Sequence, residues 1–420
     1  MNYSSEEVMQ YIREEDVKFI RLAFCDVFGK QKNISIMPGE LPRAFSEGIA
    51  FDASSIAGFG DEQHSDLFLH PEPETLMPLP WRPEHGRVVQ MFSMIRKPDG
   101  TPFSCDTRNL LKKAVSDAEK AGFHFFFGAE QEFYLFLLDE NGKPTKIPYD
   151  NAGYMDIAPD DHGENVRREI CLTLEEMGIL PESSHHEEGP GQNEIDFRYS
   201  DPLSSADHVM MFQRVVRTIA YRNGLYADFS PVPLPGEPGN GFHINLSMGN
   251  GSTPEIFSQM IAGVLQQAGA MTLFMNPSEV SLQRLGHNKA PLYISWSPEN
   301  RSQLIRIPAA SGHQKRMEFR SPDPLSNPYL AYTLMIRAAL EGIQEALVLP
   351  EPLNLNLFTA DSKLLESCKK LPQSYDDACR QAQSSIFIHK SIPEDILNLY
   401  LKKTRSSLFS DGRNKNRDII

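Results

Sequence analysis

Two glutamates, Glu130 and Glu132, alternate within a strongly apolar run that reads FHFFFGAEQEFYLFLL. If this run is a strand, both carboxylates project from one face, because residues two apart share a face. Two carboxylates on a core strand repel each other and are costly to bury unless a cation compensates them. Taken alone, the pair favours an ordinary edge strand with two solvated acids.

The same alternation of polar side chains recurs in three other short runs. His243, Asn245 and Ser247 share one face of GFHINLSM. Arg316, Glu318 and Arg320 share one face of KRMEFRS. Glu187 and Glu194 lie near the start of NEIDFRYS. A lone histidine on an apolar strand is usually a satisfied core residue. Several strands with inward polar stripes instead predict a sheet whose concave face is a polar cavity.

The types of these side chains indicate the chemistry of the cavity. Five carboxylates with one histidine and no cysteine suit the hard cations Mg²⁺ or Mn²⁺ better than zinc. Guanidinium groups bind carboxylates and phosphates in a bidentate manner, and five arginines accompany the carboxylates: Arg284, Arg301, Arg306, Arg316 and Arg320. Metals with arginines are what phosphoryl transfer requires. The sequence has no Walker A or kinase motif, so another nucleotide-binding fold is expected.

Composition excludes several other classes of protein. The formal net charge of −15 argues against binding to nucleic acid. Five widely spaced cysteines without a CxxC pair suit reduced thiols in the cytoplasm. The acidic N-terminal segment resembles no signal peptide, and no apolar stretch is long enough to cross a membrane. We therefore expect a cytoplasmic protein without a membrane partner.

The elements that position these side chains change in character near residue 105. Residues 1–104 contain short strand-like runs, including a hairpin predicted around Gly29. After Asp106, which predicts a helix N-cap, amphipathic helices alternate with the polar-striped strands. The predicted helices cover about 163–178, 205–223, 254–275 and 328–346. This interleaving predicts one α/β or α+β catalytic domain.

Six segments together resemble the glutamine synthetase family, in its bacterial type I class, from about residue 17 to about residue 345. Each is a weak pattern alone, but all six occur in the family's order at compatible spacing. The segments are FDASSIAGF (51–59), GAEQEFYLF (128–136), ESSHHEEGPGQNEIDFRY (182–199), NGFHINLS (240–247), NRSQLIRIP (300–308) and KRMEFRSPDPLSNPYLA (315–331).

The resemblance implies an α+β fold in two parts. Residues 1–104 would form a small β-grasp domain, and residues 105–420 a catalytic domain with a curved antiparallel sheet flanked by helices. It implies a homo-oligomer, either a hexameric ring or two stacked rings, because the active site of the family lies between neighbouring subunits. The implied reaction forms a γ-glutamyl amide from glutamate and ammonia, with ATP as co-substrate and two or more Mg²⁺ or Mn²⁺ ions.

The resemblance also implies roles for individual residues. One metal would be held by Glu132, Glu187 and Glu194, and the other by Glu130, His243 and Glu318. Glutamate would bind at Asn240, Gly241, Arg284 and Arg320, and ATP at Glu182, Tyr199, Asn245, Ser247 and Arg316. Arg301 and Arg306 would stabilise the transferring phosphoryl group. The ammonium pocket would consist of Asp52, Ser55 and Tyr154. Asp52 would be a catalytic residue and would come from the adjacent subunit.

The sequence departs from the family at the loop over the glutamate pocket. The loop reads QRLGHNKAP (283–291), one residue shorter than is usual, with Lys289 where the family has a glutamate that helps to bind ammonium. Three interpretations stay open. Lys289 could point to solvent while Asp52 still serves ammonia; the acceptor could be another amine, such as a monoamine or polyamine; or the chain could be a catalytically weak regulatory homologue. Intact metal ligands and phosphate arginines argue against the third.

Overall fold

The structure is a computed structural model, and it describes residues 3–81, 85–249, 253–309 and 315–402. The last part of the predicted catalytic domain, residues 403–420, lies outside the described residues. Within the described part, fifteen strands and twelve α-helices form two sheets with their covering helices.

The strands are β1 (Val17–Cys25), β2 (Gln31–Ile36), β3 (Ile49–Asp52), β4 (Asp66–Pro71), β5 (Met77–Pro78), β6 (Arg87–Arg96), β7 (Phe125–Leu138), β8 (Pro144–Pro148), β9 (Pro181–His186), β10 (Gln192–Ser200), β11 (Leu225–Asp228), β12 (Phe242–Met248), β13 (Trp296–Pro298), β14 (Ile305–Ile307) and β15 (Met317–Phe319). The helices are α1 (Ser5–Glu14), α2 (Leu41–Ser46), α3 (Thr107–Lys120), α4 (Glu164–Glu176), α5 (Pro202–Arg222), α6 (Pro254–Met275), α7 (Glu279–Arg284), α8 (Pro328–Gln344), α9 (Ser362–Leu365), α10 (Tyr375–Ser384), α11 (Ile386–Ser391) and α12 (Glu394–Lys402).

The N-terminal sheet has the strand order β2-β1-β6-β4-β3, with β5 beside β6. Its first two strands form the predicted hairpin, in which Gly29 adopts a φ of 84° that favours glycine. Strands β1 and β6 pair in parallel across the centre of this sheet, whereas its other pairs are antiparallel. The arrangement is the predicted β-grasp unit.

The large sheet carries the polar-striped strands in the order β13-β14-β15-β12-β7-β10-β9. All of its pairs are antiparallel except β13 with β14. The long strand β7 lies at the centre and also pairs with β8 and β11 near its end. The predicted α+β fold with a largely antiparallel catalytic sheet is therefore confirmed.

Helices cover the apolar face of the large sheet. Phe127 of β7 stacks on Tyr332 of α8, with ring centroids 4.1 Å apart, and both side chains are fully buried. Helices α6 and α8 cross closely because Gly263 faces the backbone of Gly342, where a Cβ on either residue would overlap main-chain atoms. Since side chains alternate along β7, its glutamates point to the opposite face. None of the helices that the structure describes is long and apolar enough to span a membrane.

A buried ion-pair network joins the two parts of the chain. Arg108 of α3 donates from Nη1 to Oε2 of Glu72 at 2.5 Å and from Nη2 to Oδ2 of Asp207 at 2.8 Å. Arg108 is 2% exposed, so its charge depends on these two carboxylates for compensation. Glu72 follows β4, and its carboxylate also pairs with Lys112. The network fixes the N-terminal sheet against the helices of the catalytic part.

Candidate active site

The strand register brings His243, Glu130 and Glu318 together on the polar face. His243 of β12 lies directly opposite Glu130 of β7. Its Nδ1 is 3.5 Å from Oε2 of Glu130 and 3.7 Å from Oε1 of Glu318. All three side chains are largely buried. Two carboxylates and one imidazole nitrogen thus converge in the geometry of a metal site.

Two arginines stabilise the ionised form of Glu318. Arg320 donates from Nε to Oε1 at 2.9 Å, and Arg306 donates from Nη1 to Oε2 at 2.6 Å. Burial opposes ionisation, but Arg320, His243 and Arg306 outweigh it and lower the pKa of Glu318 to about 2. Arg306 of β14 lies directly opposite Glu318 of β15, so the pairing of these two strands fixes the contact.

A second acidic group, formed by Glu187 and Glu194 with His185, lies beside the first on the same sheet. Glu194 of β10 is opposite Glu132 on one side and opposite His185 of β9 on the other. The ring of His185 is 3.8 Å from Oε1 of Glu187 and 3.9 Å from Oε1 of Glu194. Glu132 instead accepts a hydrogen bond from the backbone N–H of Gly241 at 2.7 Å.

The electrostatics of the second group show an excess of negative charge. Burial and the charge of Glu132 raise the pKa of Glu187 to about 7. Burial, together with the neighbouring charge of Asp196, raises the pKa of Glu194 well above its usual range. Carboxylates held in this way are stabilised by a bound cation. The oxygen-rich donor set fits Mg²⁺ or Mn²⁺ and does not resemble a thiolate zinc site.

A buried hydrogen-bonded layer supports the segments that carry these carboxylates. His186 donates from its ring to Oδ1 of Asp150 at 2.8 Å and to the backbone oxygen of Glu187 at 2.6 Å. Arg167 pairs with Asp161 and donates to Asn193, the neighbour of Glu194, at 2.6 Å. The segments that carry Glu187 and Glu194 are therefore held by charged contacts.

Comparison with protein families gives two matches that together span most of the chain. Residues 16–98 match the family described as "Glutamine synthetase, beta-Grasp domain", and residues 104–410 match "Glutamine synthetase, catalytic domain". The chain belongs to the glutamine synthetase family. As a member, it is an ATP-dependent carbon–nitrogen ligase of the glutamate–ammonia type, as its motifs predicted.

Relatives within the glutamine synthetase family match over nearly the whole length. The glutamine synthetase of Methanosarcina mazei is 44% identical, over 95% of this chain and 92% of its own. That of Clostridium saccharobutylicum is 40% identical, over 99% of this chain and 97% of its own. Among solved structures, a GmaS–ADP complex has a TM-score of 0.84 at 26% identity, over 95% of this chain and 94% of its own. Plasmodium falciparum glutamine synthetase superposes with a TM-score of 0.83 at 21% identity, over 96% and 95% of the two chains, which shows the common fold.

Three of the residues predicted to bind glutamate lie beside Glu132. Asn240 is fully buried and donates to the backbone oxygens of Asp228 and Ser230 at 3.0 and 2.9 Å. A Cβ on Gly241 would lie 2.7 Å from Nε2 of His243 and 2.9 Å from Nη2 of Arg284. A side chain at this position would displace His243 or Arg284, because the backbone approaches both closely.

Residues predicted to bind ATP lie further along the same face. Arg316 donates to Asn245 at 3.0 Å, and Asn245 donates to Glu130 at 2.6 Å. Tyr199 is 62% exposed and packs edge-on against Phe126, with ring centroids 6.1 Å apart. Glu182 on β9 is exposed, and Ser247 on β12 is partly buried.

The predicted ammonium pocket is only partly assembled within one chain. Tyr154 lies edge-on to His185 at 5.5 Å, so it borders the second acidic group. Asp52 and Ser55 are exposed on the N-terminal sheet and its following loop, and the Asp52 carboxylate accepts a hydrogen bond from Ser54 N at 2.9 Å. Among the contacts that the structure describes, none links Asp52 to the acidic groups. The role of Asp52 in an adjacent subunit stays a prediction.

The structure adds three residues that the sequence analysis did not select. Asp196 lies opposite Glu130 and forms a further acidic group with Glu130 and Glu194, and burial and the Glu130 charge raise its pKa to about 7. His185 lies between the carboxylates of the second group, and Glu188 pairs with Lys289. The position of Asp196, two residues after Glu194 on one strand, was a signal that could have identified it.

Proposed function

We propose that the chain forms glutamine from glutamate and ammonia, with ATP hydrolysed to ADP and phosphate through a γ-glutamyl phosphate intermediate. The observation that carries this proposal is the adjacency of two acidic groups on one sheet face, linked by Glu130 and Glu194. Family membership supports the same reaction class. Phosphoryl transfer needs charge compensation around the phosphate, and this face supplies it.

The proposed metal ligands divide into the two sets that the family resemblance implies. Glu130, His243 and Glu318 would hold the cation that contacts the phosphates of ATP. Glu132, Glu187 and Glu194 would hold the cation that organises the glutamate site. The preferred ion is Mg²⁺ or Mn²⁺, since the ligands are almost all carboxylates. When bound, such cations neutralise phosphate oxygens and polarise the γ-phosphoryl group.

In the proposed first step, a γ-carboxylate oxygen of glutamate attacks the γ-phosphorus of ATP. The bond to the leaving ADP oxygen breaks and γ-glutamyl phosphate forms. Asn240, Gly241, Arg284 and Arg320 would position glutamate for this attack. Arg301 and Arg306 would neutralise the transferring phosphoryl group, while Glu182, Tyr199, Asn245, Ser247 and Arg316 contact the nucleotide. Preorganised guanidinium groups suit this role because they need little rearrangement during reaction.

In the proposed second step, neutral ammonia attacks the acyl carbon and the bond to phosphate breaks. Asp52 of an adjacent subunit would accept a proton from ammonium in a pocket that includes Ser55 and Tyr154. Asp52 is exposed and accepts a hydrogen bond from the neighbouring Ser54. Because this proposal takes Asp52 from an adjacent subunit, it includes a homo-oligomer, a hexameric ring or two stacked rings.

The proposal also covers the domain boundary, the cellular compartment and the binding partners. We propose that the boundary between the two domains lies between residues 104 and 105, in the segment after β6 and before α3. The five cysteines are free thiols, which supports a reducing cytoplasmic compartment. The partners are small molecules, namely glutamate, ATP and an amine, without nucleic acid or membrane.

A γ-glutamyl ligase for another amine is the second candidate, because Lys289 replaces the loop glutamate with which the family helps to bind ammonium. Phosphate release measured with ATP, Mg²⁺ and glutamate across a panel of amines separates the candidates. The proposal expects the highest kcat/KM with ammonium. A preference for a monoamine or polyamine would support the second candidate. No turnover with any amine and no hydroxylamine-trapped acyl phosphate would contradict both.

A further inference from the structure

The side chain of Lys289 points towards Tyr154 of the predicted ammonium pocket, which is the acceptor side of the site. Its ammonium group pairs with the Glu188 carboxylate and lies 5.5 Å from the ring centroid of Tyr154. Tyr154 in turn packs edge-on against His185, which lies between Glu187 and Glu194. A carboxylate and an aromatic face together form a binding site for an ammonium cation. The cation found there is the side chain of the protein itself.

Hydrogen bonds to backbone oxygens hold the loop around Lys289 independently of the Lys289 side chain. Gly286 N donates to Ala290 O at 3.0 Å, and the side-chain amide of Asn288 donates to Glu237 O at 3.1 Å. Arg320 donates to the backbone oxygen of Lys289 at 3.3 Å. Both Asn288 and Lys289 have positive φ angles, 43° and 68°. Lysine rarely adopts this conformation, so these contacts overcome a local strain and aim the side chain at Glu188.

The pair remains open to exchange with small cations. The side chains of Lys289 and Glu188 are 49% and 36% exposed. Exposed ion pairs of this kind are weak, because water and salt screen them. A dissolved ammonium ion can therefore compete with Lys289 for the same carboxylate and the same ring face. Because Lys289 is tethered, it competes at a high effective concentration.

We propose that Glu188 and the Tyr154 ring form an acceptor-side cation cage, and that Lys289 occupies it as a built-in competitor of cationic acceptors. The inference rests on the proposed ligase function and names Glu188 and Lys289 as specificity-determining residues. An acceptor that arrives uncharged does not compete for the cage. An acceptor that arrives as ammonium or methylammonium must first displace Lys289 from Glu188.

The test compares KM values for ammonium, methylammonium and hydroxylamine, which is uncharged near neutral pH. In Lys289→Met, KM for both cations is expected to fall about threefold to fivefold, as the loss of a weak ion pair allows. KM for hydroxylamine is expected to stay unchanged. Lys289→Arg should retain the high KM for cations. Lys113→Met, at an exposed position of α3, serves as the control for a general change in surface charge.

Glu188→Gln distinguishes a cage from simple repulsion. The cage predicts that KM for ammonium rises in Glu188→Gln and that Lys289→Met brings no further gain in that background. If Lys289 only repelled cations, Lys289→Met would lower KM for ammonium equally with or without Glu188, and that result would overturn the inference. Equal shifts for hydroxylamine and ammonium would overturn it too. If the wild-type enzyme forms neither amide nor hydroxamate, the proposed function fails and the inference fails with it.

Discussion

The amide of Asn245 donates a hydrogen bond of 2.6 Å to Oε1 of Glu130. The Asn245 oxygen accepts from Nε of Arg316 at 3.0 Å, which fixes the orientation of the amide. Asn245 is 7% exposed, so solvent contributes little to holding Glu130. The other oxygen of Glu130 stays directed at His243. Asn245 thus orients a proposed metal ligand while connecting it to a residue proposed to bind nucleotide.

Replacing Asn245 tests this link. In Asn245→Ala, Glu130 loses its orienting donor, so Mn²⁺ affinity should fall about tenfold, as is typical when a partner behind a metal ligand is removed. Calorimetric titration of Mn²⁺ measures the change. Asn141→Ala, in an exposed turn, is the matched control and should leave the affinity unchanged. Unaltered Mn²⁺ binding in Asn245→Ala would refute the orienting role.

The two acidic groups should separate in their effects on substrates. Glu130→Ala should raise KM for ATP more than KM for glutamate, because Glu130 belongs to the group with His243 and Glu318. Glu132→Ala should show the reverse, since Glu132 contacts the Gly241 backbone. Steady-state kinetics with each substrate varied in turn measures both values, and Glu140→Ala, on an exposed turn, is the control. Equal effects on both substrates would argue against two distinct roles.

Much of this site was predictable because strand periodicity is visible in a sequence. The alternation of Glu130 with Glu132, and of His243 with Asn245, correctly indicated one polar face. The pairing register was not visible, since it depends on contacts between strands that are far apart in sequence. For this reason the sequence did not indicate that Asp196 lies opposite Glu130 or that Arg306 lies opposite Glu318.

Loop geometry and domain docking were also beyond sequence patterns. The replacement at Lys289 was evident, but its direction depends on positive φ angles and on Glu188, which follows a different strand. Likewise, Glu72 lies in a proline-rich segment, and no sequence pattern indicates that its carboxylate pairs with Arg108 in the folded protein. Pairings of this kind arise from tertiary packing, which local propensity does not encode.

The Glu72–Arg108 contact should make stability depend on pH. Burial opposes ionisation, but Arg108 and Lys112 lower the pKa of Glu72 below 4.5 in the folded state. Its stabilising contribution is therefore fully present above pH 4.5 and is lost as the pH falls through the folded-state pKa. Glu72→Gln should cost about 3 kcal/mol at neutral pH, because Arg108 stays buried with less compensation.

Denaturant unfolding of Glu72→Gln and wild type at several pH values measures this difference. The gap between the two proteins should narrow as the solution becomes acidic. Glu40→Gln, which removes the exposed partner of Arg43, should change stability by less than about 0.5 kcal/mol. A gap that is independent of pH would show that the charge of Glu72 is not the cause.

A side chain added at Gly241 should disturb the proposed glutamate site. The Cβ of Gly241→Ala would lie 2.7 Å from His243 Nε2 and would push the histidine or Arg284 from its place. We expect KM for glutamate to rise at least about tenfold while the melting temperature changes little, because the clash affects flexible polar side chains in a cavity. Gly39→Ala, where nothing lies within 4 Å of the added atom, is the control. Normal kinetics in Gly241→Ala would contradict the proposed glutamate site.

The central claim is that the polar face of the large sheet transfers the γ-phosphoryl group of ATP to the glutamate side chain. Glutamate labelled with oxygen-18 in its γ-carboxylate, incubated with ATP, Mg²⁺, ammonium and the enzyme, tests this directly. Phosphorus NMR of the released phosphate should show one labelled oxygen for each glutamine formed, since the carboxylate oxygen leaves with phosphate. Glutamine formation with unlabelled phosphate would contradict the acyl phosphate route and the account of the site built on it.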